Sequence, residues 1–209
     1  MPINESDPEI TLGVLNVVEK NSHVTQRDVA KNIGIALGLT NTYLKRCIKK
    51  GLIKVKQVPA NRYAYYLTPR GFSEKSRLTA EYLSQGFQYF RVAKIQLVEI
   101  LGTCEDRGWK NVAFHGLTDI TEIAVLCSSN YKVRIVGIID VSTSLKEYSG
   151  IPIFESIDEL KTVEAIIITD LGDPQTSLKY LSGFYPESRI FMPQILNLSD
   201  KIRVEEAET

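Results

Sequence analysis

Three helix-sized apolar segments running into a two-stranded ribbon, a proline-free stretch over residues 72–107, and continuous apolar strands alternating with short helices predict a chain in two halves. The fold class is α+β in the N-terminal half and α/β, built on a parallel sheet, in the C-terminal half, with a long helix joining them. The expected division is residues 1–71, a connecting helix over 72–108, and residues 109–209.

Composition sets the outer bounds. The 209 residues are 44% hydrophobic and balance 25 Lys and Arg against 25 Asp and Glu. That excludes a disordered chain, and no apolar run approaches the roughly 20 residues a membrane span needs. The acidic start, Met1-Pro2-Ile3-Asn4-Glu5-Ser6-Asp7, lacks the basic and apolar regions of a secretory signal, so the expected compartment is the cytoplasm. Cys47, Cys104 and Cys127 are odd in number and lack C-x-x-C spacing, which predicts buried thiols rather than disulfides or a zinc site.

The zero net charge conceals a segregation. Residues 1–110 carry 17 basic and 10 acidic side chains, a net of +7, leaving −7 for residues 111–209. Within residues 27–77, 12 basic residues face only Asp28 and Glu74. A polyanion partner is implied for the first half.

Element by element, Ile10, Leu12, Val14, Leu15, Val17 and Val18 predict a first core helix ending at Asn21-Ser22. Thr25 with Asp28 three residues on starts a second helix as a capping box, and Gly34 closes it. Thr40 is expected to cap a third helix over residues 41–50, stopped by Gly51. There Leu44, Cys47 and Ile48 form the inner stripe, leaving Asn41, Thr42, Lys45, Arg46 and Lys49 outward. Period-two segments at 53–56 and 63–67 predict a hairpin with a basic face carrying Lys54 and Lys56, and Arg62 at its tip. Three helices followed by such a ribbon describe a winged helix-turn-helix, whose third helix enters the major groove of duplex DNA while the wing reaches the backbone or minor groove. The candidate DNA contacts are therefore Thr40, Asn41, Thr42, Lys45, Arg46, Lys49, Lys54, Lys56 and Arg62.

The stretches Thr25-Gln26-Arg27-Asp28-Val29-Ala30, Tyr43-Leu44-Lys45-Arg46-Cys47-Ile48-Lys49-Lys50-Gly51-Leu52-Ile53-Lys54 and Leu67-Thr68-Pro69-Arg70-Gly71-Phe72 resemble MarR-type winged-helix regulators, in particular the group associated with exopolysaccharide gene clusters. The resemblance covers about residues 8–90, and its most specific piece is Leu-Thr-Pro-Arg-Gly. It implies DNA binding as a homodimer.

In the connecting helix, Leu83, Phe87, Phe90, Lys94, Leu97, Leu101 and Cys104 are spaced alternately four and three apart, a heptad seam. That stripe fits pairing with a second copy and packing on the C-terminal half equally well. Gly86 weakens the helix and marks a break or a close contact.

In the C-terminal half, strands are expected at 112–115, 133–139, 165–169 and 189–192, with helices at 119–128, 157–161 and 174–183. This alternation predicts a Rossmann-like sheet covered on both faces. Ligands then sit beyond the C-terminal strand ends, which nominates Gly116, Leu117, Thr118, Asp119, Asp140, Thr169 and Asp170. Asp140 lies 24 residues after Gly116, near the spacing at which an acid takes a ribose hydroxyl. The first turn has one glycine where a dinucleotide fingerprint has three, with Thr118 and Thr121 at the other two positions.

The strand into Gly116, the Val136-Gly137-Ile138-Ile139-Asp140 strand and Gly150-Ile151-Pro152-Ile153 resemble the nucleotide-binding domain of sugar-nucleotide-modifying enzymes and related CoA-binding domains. That resemblance implies a nucleotide or nucleotide sugar as ligand. The order of winged helix then Rossmann-like half is similar to Rex-type repressors and would imply NAD(H), against which the missing glycines argue. No nucleophile is arranged with a base: His23 and His115 are the only histidines, and no metal-ligand cluster accompanies them. The expectation is a non-enzymatic, DNA-binding transcriptional regulator with a small-molecule effector or assembly domain, no fixed cofactor and no membrane. The alternatives are an NAD(H)-sensing repressor and a nucleotide-sugar-handling enzyme with a DNA-binding appendage.

Overall fold

The computed structural model describes residues 7–58 and 62–197, Arg62 through its backbone alone. The acidic start 1–6, the wing tip 59–61 and residues 198–209 lie outside the described residues. Two compact units divide the chain, residues 1–87 and 88–209.

In the first unit α1 (Asp7–Lys20) buries Ile10, Val14, Leu15 and Val18, one stripe at helical spacing. The capping box expected at α2 (Gln26–Ile33) forms: Asp28 N–H donates to Thr25 Oγ1 at 3.2 Å, and Thr25 N–H donates to the Asp28 carboxylate at 2.9 Å. Gly34 ends the helix at φ 72°, the left-handed conformation that favours glycine. Its neighbour α3 (Leu37–Lys49) differs from expectation at its start. The N-cap is Ala36, which has no side-chain cap bond, and Thr40 lies inside the first turns, fully buried, its hydroxyl donating to the Ala36 carbonyl at 3.1 Å. Packing overrides the capping signal here, because Thr40, Tyr43, Leu44 and Cys47 together supply the buried stripe that α3 presents to α1 and α2.

The wing is longer than its alternation suggested. β1 (Ile53–Val58) pairs antiparallel with β2 (Arg62–Leu67) from Ile53↔Leu67 to Val58↔Arg62, so Arg62 closes the ladder. The Ser22 carbonyl accepts from Tyr65 N–H at 2.8 Å and fastens β2 to the turn that follows α1. Thr68 then turns the chain: its hydroxyl donates to Gly51 O and accepts from Gly71 N–H at 3.0 Å, capping α4 (Pro69–Asp106). A Cβ at Gly71 would stand 2.1 Å from the Leu52 carbonyl oxygen. That close approach accounts for the Thr-Pro-Arg-Gly step. α4 runs through Gly86 without a break.

The second unit holds a mixed, mostly parallel six-stranded sheet. Its strands are β3 (Asn111–His115), β4 (Arg134–Ile139), β5 (Glu147–Tyr148), β6 (Ile151–Phe154), β7 (Ala165–Ile168) and β8 (Ile190–Phe191), in the order β5-β6-β4-β3-β7-β8. Only the β5–β6 pair is antiparallel. It is a hairpin turned by Ser149 and Gly150, both at positive φ, with Tyr148 facing Ile151. The apolar runs of β3 and β7 are central and buried, with α5 (Asp119–Ser128) and α6 (Pro174–Leu181) packed against the sheet. Residues 157–161 form a single 3₁₀ turn, Ile157–Glu159, rather than an α-helix. Ser156 and Glu159 close the N-terminal end of that turn as a capping box, and Leu160 is already extended. Ala93, Leu97, Leu101 and Cys104 of α4 lie fully buried in this unit's core.

Candidate nucleic-acid interface and ligand cleft

α3 turns one face to its own core and leaves the other bare. Opposite the buried Thr40, Tyr43, Leu44 and Cys47, residues Gly38, Thr42, Lys45 and Lys49 follow at i, i+4, i+7 and i+11, all exposed. Of the residues nominated on this helix, Thr42, Lys45, Arg46 and Lys49 are exposed and Asn41 is half-buried. Thr40 is the one that points inward, for the packing reason given above. On β1, Lys54 and Lys56 are exposed, and the Lys56 ammonium sits 5.8 Å from the Tyr66 ring centre. Burial pushes the Cys47 thiol up to about 11, against the pull of Lys50 and Arg46, so it stays a neutral core residue.

Arg46 is engaged within the unit. Its guanidinium donates to the Asp7 carboxylate at 2.9 Å and stacks 4.9 Å from the Tyr43 ring centre, while the Tyr43 hydroxyl donates to the same carboxylate. The Tyr43 hydrogen bond, with the Arg46 charge, holds the Asp7 carboxyl below its ordinary range. Sequence reading missed this arrangement, because Asp7 and Arg46 are far apart in the chain. It also missed the exposed Leu37, Gly38 and Leu39, which fall in a connection if the helix starts at residue 41.

In the second unit the strand order reverses between β3 and β7, and a cleft of about 440 Å³ opens beyond their C-terminal ends. His115, Gly116, Asp140 and Asp170 line it with Ser142, Glu155, Ser177 and Tyr180. Gly116 has φ 100°, and a Cβ there would stand 2.6 Å from Asp170 Cα. Asp140 accepts from Leu117 N–H at 2.6 Å and from Ser142 N–H at 2.7 Å. Burial alone would raise its carboxyl, but the Ser142 hydroxyl and these backbone donors outweigh burial and hold it below the usual range. Burial pushes the His115 imidazole down, with Asp170 and Asp140 pulling partly back, and its Nδ1 has no hydrogen-bond partner among the described residues.

Not every nominated residue reaches the cleft. Leu117 contributes its N–H to Asp140 instead of to a ligand. The Thr118 hydroxyl donates to the Thr169 carbonyl, Thr169 is fully buried with its own hydroxyl on Gly116 O at 2.6 Å, and Asp119 is exposed at the start of α5 without lining the cleft. Ser142, Glu155, Thr176, Ser177 and Tyr180 line it unannounced, since no spacing rule points to them.

These residues do not suit a dinucleotide or any diphosphate. At the start of α5 the N–H groups that would cradle phosphate are used internally: Leu117 by Asp140, Thr118 by Thr121 Oγ1 at 2.9 Å, Ile120 by Thr118 Oγ1 at 3.2 Å. Asp140 and Asp170 add negative charge, Glu155 is paired with Lys146 at 3.8 Å, and among the described residues no Lys or Arg lines the cleft.

The first unit's fold and its outward basic helix define a winged helix-turn-helix, and residues 7–54 match the family model for winged helix-turn-helix DNA-binding domains. Among solved structures, the chain is similar to MepR, a transcription regulator of the Staphylococcus aureus multidrug efflux pump MepA. The identity is 17%, with 41% of this chain and 63% of that one covered at a TM-score of 0.34. It is also similar to the zinc-dependent MarR family transcriptional regulator AdcR in its Zn(II)-bound state, at 17% identity, 44% and 65% coverage and a TM-score of 0.33. The chain thus spans less than two thirds of either protein. No curated protein matches it. Among the described residues, no helix is long and apolar enough to cross a membrane, and no group of three or more His, Cys, Asp or Glu is placed to hold a metal ion.

Proposed function

We propose that the chain is a sequence-specific DNA-binding transcriptional regulator of the MarR type, acting as a homodimer on duplex DNA. Residues 1–71 are its reading head, 72–108 its connecting and dimerising helix, and 109–209 a Rossmann-like effector domain. The observation that carries the reading is the exposed Gly38, Thr42, Lys45, Lys49 face of α3 beside a wing bearing Lys54 and Lys56, within a segment almost free of acid. Thr42, Asn41 and the cations supply base-edge and phosphate contacts, and Arg62 stands where the wing begins its return. A small molecule in the acidic cleft regulates only if it binds differently to DNA-competent and DNA-incompetent arrangements. The cleft favours neutral or cationic ligands over phosphorylated ones. Control of polysaccharide or envelope genes is the physiological role that the resemblance suggests.

The test is fluorescence anisotropy of the full chain on fragments selected from genomic DNA. Affinity is expected to exceed that for unselected duplex and to fall steeply between about 50 and 200 mM salt. Absent or salt-insensitive binding overturns the reading.

A further inference from the structure

The first turn of α3 carries three residues that the fold of its own unit leaves unused. Leu37 and Leu39 are 40% and 42% exposed and, among the described residues, belong to no core cluster. Gly38, between them, has no positive φ that would call for glycine, and a Cβ there would meet nothing within 4 Å. A glycine in a helix weakens it relative to alanine, so the bare position has a cost with no return among the described residues. One turn on, the Thr42 hydroxyl is donated to the Gly38 carbonyl at 3.1 Å, which leaves its methyl as the uncommitted group. Beyond it stand Lys45 and Lys49. Leu37 and Leu39 project about 100° to either side of Gly38, so the outward face of α3 is bare and flanked by leucine at its N-terminal end and cationic at its C-terminal end.

We propose that Leu37 and Leu39 determine sequence specificity by reading thymine methyl groups in the major groove, with Gly38 keeping the turn flat enough for base edges to approach. The proposal rests on the DNA-binding reading above. The cations on the same face and on the wing supply the charge complementarity that selects duplex DNA as occupant. The N-terminal residues of a recognition helix are the ones that reach base edges. A leucine offers neither donor nor acceptor, and the apolar group the major groove displays is the thymine C5 methyl. Against the hydrogen-bonding edge of a G·C pair, the same leucine strips water from polar groups without replacing it, so it penalises the wrong base as well as rewarding the right one.

Deoxyuridine tests this directly, since it pairs as thymine does and lacks only the methyl. Each thymine of a duplex selected by the full chain is replaced singly, and binding is read by anisotropy. At one or more thymines, loss of the methyl is expected to weaken binding about fourfold, the equivalent of one buried apolar carbon at about 0.8 kcal/mol. In Leu37→Ala or Leu39→Ala that sensitivity disappears while the salt dependence stays as in the wild type. Gly38→Leu is expected to leave the melting temperature unchanged or higher, yet to weaken specific binding about tenfold, a combination that a merely structural glycine does not produce. Three results overturn the proposal: affinities within about twofold for every deoxyuridine duplex, undiminished sensitivity in both leucine variants, or wild-type binding by Gly38→Leu. Failure of the wild type to bind any duplex overturns the DNA-binding reading itself, and so is distinguishable from failure of this one.

Discussion

Gly71 and Gly86 sit on the same helix and have opposite reasons for lacking a side chain. At Gly71 a Cβ would overlap the Leu52 carbonyl, whereas at Gly86 it would meet nothing within 4 Å. Gly71→Ala is therefore expected to lose about 3 kcal/mol, and Gly86→Ala to gain about 1 kcal/mol, in urea unfolding of the full chain followed by circular dichroism. Equal effects would refute the close approach at the wing–helix junction. Thr25→Ala removes the α2 cap and is expected to cost about 1 kcal/mol at pH 7. The backbone and hydroxyl of Thr25 hold the Asp28 carboxyl below its ordinary value. Its contribution is thus present above the unfolded-state value near pH 4 and fades as the pH falls through the lower folded-state value. Asp28→Asn should accordingly destabilise at pH 7 and cease to do so in strong acid. The capping box was legible in the sequence because both partners lie within three residues. The Asp7–Arg46–Tyr43 cluster was not, since only the packing of α1 on α3 brings those residues together.

At the scale of elements, periodicity located α4 but not the destination of its stripe. The seam divides: Leu97, Leu101 and Cys104 are fully buried within the second unit, while Leu83 and Phe87 are 52% and 62% exposed. A heptad pattern reports only that a partner face exists, and burial depends on which other elements reach it. The same limit explains α3, whose start moved from Asn41 to Leu37 because Thr40 is taken into the core with Tyr43, Leu44 and Cys47 instead of standing at the helix end as a cap. Exposed large apolar side chains grouped on one helix mark an interaction surface. If that surface joins two copies, Leu83→Glu with Phe87→Glu should shift the full chain from dimer to monomer in sedimentation velocity at micromolar concentration, with its helical content unchanged. A wild type that is monomeric under those conditions removes the homodimer from the proposed function.

For the whole molecule, the +7 and −7 halves make electrostatics a quantitative instrument. Each cation that neutralises a phosphate contributes about 0.9 to the slope of log affinity against log salt. Lys45→Ala and Lys49→Ala should each flatten the slope by about that amount and weaken binding to all sequences alike. Arg46→Ala should flatten it less, because its guanidinium already faces the Asp7 carboxylate and binding phosphate means exchanging one anion for another. By the same reasoning Asp7→Asn should strengthen DNA binding and steepen the slope, since it frees Arg46 while leaving the α3 cations untouched. Removing acid from the cleft, as in Glu155→Gln, changes the net charge by the same amount as Asp7→Asn but lies in the other unit. Equal gains from both substitutions would show that overall charge governs DNA affinity. A gain confined to Asp7→Asn would show that the exposed face of α3 governs it, which is the outcome the local geometry of Arg46 predicts.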